Sequence, residues 1–359
     1  MTPQTNLPVR SAGPYIPSTV ESQRGGQLFD HVCVYLSTSS RIPGRLVESG
    51  ILLSEIFLLN IPEWLFGMRK EGRPPIEKRL ASSIAASRMA IEQDVSAGER
   101  RKVVVQTGKS IAATEAGIRA VENIKVQSKN PNVEFIYLDL GSFQEIRKFS
   151  EEVNRRTNVV DLLVNNAGVM DVPTFKPTAE GHDSQFGINY LGHYFLTTLL
   201  LPLIKLAPKA RIVMTASSAH YGTSKIGYKG ITSAKAYDRI NNYCGSKLAT
   251  VMYTRFLAKT LRETHPNITV NCLHPGACRT NLFSSSWLLY TLTTIGFQVL
   301  LRPASRGARG LTYLCLSEEV EGISGEFWFD ERIRQKNPAS QDAKQQQELI
   351  DYSNKQIGF

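Results

Sequence analysis

The sequence predicts an α/β fold built on a doubly wound parallel sheet, with an atypical N-terminal region and a short C-terminal helix. Three observations carry that expectation. From about residue 102, apolar runs of strand length alternate with stretches whose apolar residues recur at three-and-four spacing, the pattern of successive βαβ units. The strand-like runs are almost continuously apolar, as strands covered on both faces must be. Polar turn residues collect at the carboxyl ends of those runs, where open α/β sheets hold their ligands.

The elements follow in order. "KVVVQ" (102–106) reads as a buried strand and "SIAATEAGIRAVENIKVQSKN" (110–130) as the helix after it. "VEFIYLDL" (133–140) is the next strand, and "SFQEIRKFSEEVNRRT" (142–157) is an amphipathic helix opened by Ser142 as its cap. "VVDLLVNNAG" (159–168) is a third strand, followed by the long helix around "FGINYLGHYFLTTLLLPLI" (186–204). "ARIVMTAS" (210–217) is a strand, "YCGSKLATVMYTRFLAKTLRE" (243–263) a helix and "ITVNCLHPG" (268–276) the last strong strand. The polar tail "SQDAKQQQELIDYSNKQIGF" (340–359) reads as a capped helix with Leu349 and Ile350 facing inward. The expected organisation is an atypical region over 1–95, a catalytic α/β domain over 96–336 and a helical tail over 337–359.

Composition narrows the function classes. The chain has 359 residues, 42% of them hydrophobic and 21% charged, so it can bury a large core. Its net charge of +10 comes from scattered Lys and Arg rather than a dense basic block with interleaved aromatics, which argues against nucleic acid as a partner. Cys33, Cys244, Cys272, Cys278 and Cys315 show no C-x-x-C spacing, and the six histidines form no H-x-x-x-H pair. That excludes the usual zinc patterns, argues against a disulfide framework and points to a reducing, cytoplasmic setting. Two apolar runs, 50–67 and 287–301, are shorter than a ~20-residue span and carry polar residues. They leave room for peripheral contact with a membrane surface rather than a crossing.

One stretch invites a nucleotide-binding reading. "VVVQTGKS" (103–110) looks like a strand entering a P-loop, but the G-x-x-x-x-G-K-[ST] pattern requires glycine where Val103 stands. The chemistry lies downstream. Tyr243 and Lys247 are four residues apart on a helical segment, so one turn separates them on one face. A phenol with a reference pKa near ~10 is a weak base at neutral pH, and an adjacent ammonium favours its anion. Around this pair, "NNAG" (165–168), the serines at 217–218 and "HPG" (274–276) all fall at strand ends.

With those residues in view, the chain from about Lys102 to Phe359 resembles the short-chain dehydrogenase/reductase superfamily, in particular its retinol-dehydrogenase-like branch. "LDLGS", "LLVNNAGVM", "FGINYLGHYFLTTLLLPL", "RIVMTASSAH", "YCGSKLATVMYTRFLAK" and "VNCLHPGACRTNL" carry the likeness, in the family's order. The resemblance implies a Rossmann-like fold and hydride transfer between a nicotinamide cofactor and an alcohol or ketone. It implies Tyr243 as the general acid/base, and Lys247 as the group that lowers its pKa and holds the nicotinamide ribose. Ser217 would polarise the substrate C–O bond, with the adjacent Ser218 an open alternative. Asn189 matches the asparagine whose helix carries a water-linked proton relay to the lysine. Asp139 would meet the adenine edge, Asn166, Ala167 and Gly168 would line the adenosine side, and Pro275, Gly276 and Thr280 would contact the nicotinamide.

In this frame "VVVQTGKS" becomes the second strand of the dinucleotide fold. The end of that strand normally reads the adenosine ribose, with an acid for NAD and a base for the 2′-phosphate of NADP. No acid stands before Ser110 and Lys109 is available, which favours NADP. The family's opening loop, T-G-x-x-x-G-x-G, would then lie about twenty residues earlier. The candidate there is "ASSIAASRMA" (81–90), without a glycine; a second, about sixty residues before the strand, is "HVCVYLSTSSRIPGR" (31–45), which reads as strand then serine-rich turn with Gly44 its only glycine. Losing two charge-assisted bonds to the pyrophosphate would cost about 3–6 kcal/mol.

Two readings follow. The first is an NADP(H)-dependent oxidoreductase acting on a lipophilic alcohol or carbonyl compound, in lipid or specialised metabolism. The lipophilic element rests on the run at 287–301, where the family's substrate-covering segment lies. The second is a catalytically impaired relative that uses the fold as a binding scaffold, which the missing glycines favour and the retained Asn189, Ser217, Tyr243 and Lys247 oppose. The family resemblance leaves homo-oligomerisation open.

Overall fold

The computed structural model describes residues 31–38, 102–109, 113–128, 130–278 and 302–358. The strands are β1 (His31–Thr38), β2 (Lys102–Lys109), β3 (Val133–Leu138), β4 (Leu162–Asn165), β5 (Ala210–Thr215), β6 (Ile268–His274), β7 (Phe327–Phe329) and β8 (Arg332–Arg334). The helices are α1 (Ala113–Ser128), α2 (Phe143–Arg156), α3 (His193–Lys205), α4 (Tyr228–Thr232), α5 (Arg239–Thr264), α6 (Ala304–Leu316) and α7 (Ala343–Ile357). A π-helical segment, Gly187–Gly192, leads directly into α3.

The strands form one sheet in the order β3-β1-β2-β4-β5-β6-β7-β8. β2, β4, β5 and β6 pair in parallel, as the apolar runs predict, and β7 joins β6 in the same direction. Alternate residues of each strand point to opposite faces, and two apolar clusters result. On one face Val105, Leu163, Ile212 and Val270 meet Phe149 of α2, Leu200 of α3, Leu248 of α5 and Leu349 of α7. On the other, Val104, Val164, Val213 and Leu273 meet Ile124 of α1 and Leu311 of α6. The sheet is therefore doubly wound, and the Rossmann-like expectation holds.

Two features depart from the sequence reading. First, "VVVQTGKS" does not supply the second strand. β2 pairs directly with β4, Val104, Val105 and Gln106 standing opposite Leu162, Leu163 and Val164. That is the central seat of the sheet, the place of the family's first strand. Its residues suit the seat, because Val103 through Thr107 are all buried. The Val103 N–H donates to Asp161 Oδ2 at 2.7 Å and the Asp161 N–H to the Val103 carbonyl at 2.9 Å, anchoring the start of β2 to the start of β4.

Second, the sheet is not wholly parallel. β1 runs antiparallel between β2 and β3, and β8 returns antiparallel along β7. The strand read at 31–45 is present over 31–38, but it fills the seat beside the central strand and runs in the opposite direction. β7 and β8 extend the sheet past the last strand that the sequence marked; at three residues each, they are too short for a hydropathy period to reveal. The alternative at 81–90, the apolar runs at 50–67 and 287–301, and Thr280 lie outside the described residues. Among the described residues no helix is long and apolar enough to cross a membrane.

Helix ends follow local chemistry. Ser142 caps α2 by accepting the Glu145 N–H, as its position predicts. Asp342 caps α7 by accepting the N–H groups of Lys344 and Gln345, and Gly358 ends it in the left-handed conformation with φ of 77°. Leu349 and Ile350 face inward as expected, at 0% and 5% exposure. Leu349→Ala is expected to destabilise the protein by about 2–5 kcal/mol in urea unfolding; a loss below about 1 kcal/mol would show that α7 contributes little to the core.

Candidate active site

The carboxyl ends of β2, β4, β5 and β6 converge, and α5 crosses beside them. Asp238 caps α5 by accepting the N–H groups of Ile240 and Asn241, which starts the helix whose second and third turns carry Tyr243 and Lys247. Both side chains are buried, at 5% and 4% exposure. Lys247 Nζ lies 5.8 Å from the Tyr243 ring centroid and donates to the Thr215 carbonyl at 3.0 Å.

In the cofactor-free arrangement burial, rather than the lysine, dominates the Tyr243 pKa. Burial pushes the phenol up to about 12, with a hydrogen bond involving Ser217 acting in the opposite direction. Burial likewise brings the Lys247 ammonium down to about 8. Both groups have lost water, and one of the three ammonium protons goes to the Thr215 carbonyl.

Ser217 follows β5, and Ser218 opens the short 3₁₀ turn Ser218–Gly222. Ser217, the partner of Tyr243, also accepts the Ala219 N–H at 3.2 Å, whereas Ser218 is exposed. The geometry therefore favours Ser217 of the two hydroxyls. His220 stands behind it and donates from Nδ1 to the Ser217 carbonyl at 2.6 Å. Its Nε2 faces the Asn337 N–H at 3.4 Å.

Asn189 sits within the π-helical segment and is buried. Its Oδ1 accepts the Val169 N–H at 2.7 Å, while its Nδ2 donates to the Val169 carbonyl at 2.9 Å and to Ser246 Oγ at 3.0 Å. Ser246 in turn donates to the Tyr243 carbonyl at 2.7 Å. The Asn189 side chain thus holds the strand-end loop against the helix that carries the tyrosine. Gly168 lies where a Cβ would come 3.1 Å from Asn189 Oδ1 and 3.6 Å from Lys247 Nζ, so glycine leaves room for these two side chains to close on the turn.

The turn 165–168 is held from β2. Thr107 Oγ1 accepts the N–H groups of Asn166 and Ala167 at 2.9 and 3.0 Å, and Thr215 donates to Asn166 Oδ1 at 2.9 Å. Thr107 is a residue that the sequence reading missed. The signal was present: 107–114 reads T-G-x-x-x-A-x-T, with Ala112 and Thr114 where the family's loop has its later glycines. On the other side, Pro275 and Gly276 follow β6. Gly276 has φ of 88°, and a Cβ there would lie 2.7 Å from Arg302 Cδ, so both conformation and space require glycine. His274, stacked on Phe329, is brought down to about 4 by burial and by Arg302.

The structure therefore gathers Asn166, Ala167, Gly168, Asn189, Ser217, Tyr243 and Lys247 around one crevice, with Pro275 and Gly276 along the end of β6. Asp139 stands farther out, after edge strand β3, where its Oδ1 accepts the Gly141 N–H at 2.7 Å. Lys109 ends β2 in register with His31 of β1. Its place at the end of the central strand removes the argument that assigned it to a second-strand ribose site.

The family model for short chain dehydrogenases matches residues 100–288. Retinol dehydrogenase 12 of Homo sapiens is 36% identical over 243 residues, covering 68% of this chain and 75% of that protein. Polyprenol dehydrogenase of Homo sapiens is 32% identical over 236 residues, covering 64% of this chain and 71% of that one. Among solved structures, an uncharacterized protein from Mycobacterium paratuberculosis aligns with a TM-score of 0.53 and 26% identity, over 68% of this chain and 81% of its own. A tyrosine, a lysine and a serine brought together at the carboxyl edge of a doubly wound sheet agree with these matches, and the chain belongs to the short-chain dehydrogenase family, in its retinol-dehydrogenase-like branch.

Proposed function

We propose that the protein is an NADP(H)-dependent oxidoreductase that transfers a hydride between the cofactor and a lipophilic alcohol or carbonyl compound. The observation that carries this reading is the meeting of Tyr243, Ser217 and Lys247 in one buried crevice beside the turn 166–168. The residues present fit a dinucleotide there. Gly168 lets the Asn189 and Lys247 side chains close on the end of β4, and Thr107 fixes the turn that would line the adenosine side. Asn166, Ala167, Gly168, Pro275 and Gly276 would hold the cofactor, with Lys247 at the ribose, Asp139 at the adenine edge and Thr280 at the nicotinamide. When bound, the nicotinamide ring supplies or accepts the hydride and, in its oxidised form, brings a positive charge into the site.

The protein's own groups manage the oxygen and its proton. In the reductive direction, the hydroxyls of Ser217 and Tyr243 both donate to the substrate carbonyl oxygen, and Tyr243 gives up its proton as the alcohol forms. A phenol held at about 12 keeps that proton throughout the neutral range. The Lys247 ammonium, charged below about 8, stabilises the phenolate that remains. The reverse direction needs the phenolate first, and burial opposes it until a further positive charge enters.

Retinol and polyprenol, named in two of the relatives, support a lipophilic substrate. NADP(H) rather than NAD(H) is proposed on the chain's charge of +10, which suits a ligand with an additional phosphate. Titration of the full-length protein with NADPH and NADH is expected to show micromolar binding with NADPH preferred. Failure of both to bind would overturn the reading. With cofactor bound, Tyr243→Phe is expected to lower turnover by about 10²–10⁴-fold while leaving the unfolding transition in place.

Lys247 also carries a stability signature. Its folded pKa of about 8 lies below the ordinary 10.5, so between those values the unfolded chain binds more protons and stability rises with pH. Lys247→Met is expected to remove that rise, to gain up to about 3 kcal/mol at neutral pH, at ~1.4 kcal/mol per pH unit, and to lose turnover. Thermal unfolding from pH 7 to 10 checks the sign: wild-type stability falling over that window would refute it.

A further inference from the structure

The hydroxyl of Thr107 has one proton to give and two lone pairs to offer. Both lone pairs are engaged, by the N–H groups of Asn166 at 2.9 Å and Ala167 at 3.0 Å. The proton has a near acceptor in His193 Nε2 at 2.9 Å and a distant one in the Val164 carbonyl at 3.4 Å. Nε2 must therefore be bare. The other ring nitrogen, Nδ1, stands 3.1 Å from the Asn189 carbonyl, which can only accept, so Nδ1 carries the proton. The Nδ1 end requires a proton there and the Nε2 end excludes the charged ring, so together they specify the neutral Nδ1–H tautomer.

The π-helical segment makes the second contact available. The His193 N–H goes to the Tyr190 carbonyl, so the Asn189 carbonyl is not spent on the usual backbone donor four residues on. The His193 ring folds back and takes that place. From Asn189 the chain of bonds continues through Ser246 Oγ to the Tyr243 carbonyl. A continuous buried path thus runs from the end of β2, through the turn 166–167 and His193, to the helix bearing Tyr243 and Lys247. Thr107, His193, Asn189 and Ser246 are all at most 5% exposed.

We propose that His193 is a positioning residue: by accepting from Thr107 and donating to the Asn189 carbonyl, it fixes the cofactor-side turn to the π-helical segment and through it to the catalytic helix. The two halves of the site then hold a single spacing. Its consequences for catalysis rest on the oxidoreductase reading, whereas the linkage itself is a property of the cofactor-free protein. An apolar ring at this position would fill the space but leave a buried hydroxyl proton and a buried carbonyl without each other's bridge.

The test begins without cofactor or substrate. In full-length protein with ¹⁵N-labelled histidine at pH 7, with the signal assigned by its loss in His193→Gln, the ring is expected to be neutral with its proton on Nδ1. A charged ring, or a proton on Nε2, would overturn the proposal whether or not the protein proves to be an oxidoreductase. Cofactor binding and turnover supply the second arm. His193→Phe and Thr107→Val are each expected to weaken cofactor binding and lower kcat by about tenfold, the scale of one buried hydrogen bond. The double variant is expected to be little worse than either single one, because both cut the same path, and Thr107→Ser should restore wild-type behaviour. Losses that multiply to about a hundredfold in the double variant would overturn the linkage, as would variants that lower the melting temperature while cofactor affinity and kcat stay unchanged.

Discussion

The parallel pairing of β2 with β4 is the constraint on which the site depends. With Gln106 opposite Val164, the next residue along, Thr107, stands at the level of Asn165, and its hydroxyl reaches the two N–H groups that follow. A slip of one residue would turn Thr107 to the other face of the sheet and put Gln106 in its place. The register is anchored at the other end by Asp161, whose carboxylate accepts the Val103 N–H and whose own N–H pairs with the Val103 carbonyl. Five buried residues of strand thus translate one carboxylate contact at one edge into the placement of the strand-end turn at the other.

Burial then sets the chemistry of that crevice. Tyr243 and Lys247 lie on a helix whose residues from Asn242 to Thr254 are all buried, so neither side chain can relax into water. The cost falls on whichever member is charged: the phenol is held protonated and the ammonium is made easier to discharge. The cofactor-free protein is therefore set as a proton donor. A positive charge arriving beside the phenol would favour its anion. Lys247's attachment to the Thr215 carbonyl keeps its ammonium near the phenol without pairing the two directly.

Much of this was legible in the sequence because each legible feature repeats or is locally spaced. Apolar runs of strand length announced β2, β3, β4, β5 and β6, and four-residue spacing put Tyr243 and Lys247 on one face. Ser142, Leu349 and Ile350 were readable from caps and helical period. The seat of β2 was not, because strand order is a property of long-range pairing and one strand's hydropathy is the same in either seat. The glycine pattern misled further: Ala112 and Thr114 hid a T-G pair that still performs its hydrogen bonding through Thr107. The direction of the Tyr243 shift was also out of reach, since spacing shows that two groups are near but not how much water each has lost. His193 carries no signal at all, being one apolar-helix histidine among neighbours of ordinary composition.

The π-helical segment shows why so much supporting structure surrounds one asparagine. Such a segment replaces the usual backbone ladder over a turn and is weaker than the α-helix it interrupts, so it persists only if its surroundings hold it. On its inner side Asn189 binds Val169 and Ser246, and the His193 ring meets the Asn189 carbonyl. On its outer side α7 braces the adjoining tyrosines: Tyr190 shares a hydrogen bond with Ser353 at 2.8 Å, and Tyr194 donates to Asn354 at 2.6 Å. Tyr190 is also fully packed, against Phe186 at 5.1 Å and Tyr253 at 6.1 Å between ring centroids. The C-terminal helix, which touches neither Tyr243 nor Ser217 through any of these bonds, is thereby part of what keeps them in place. The helical tail read from the sequence thus braces the π-helical segment that carries Asn189.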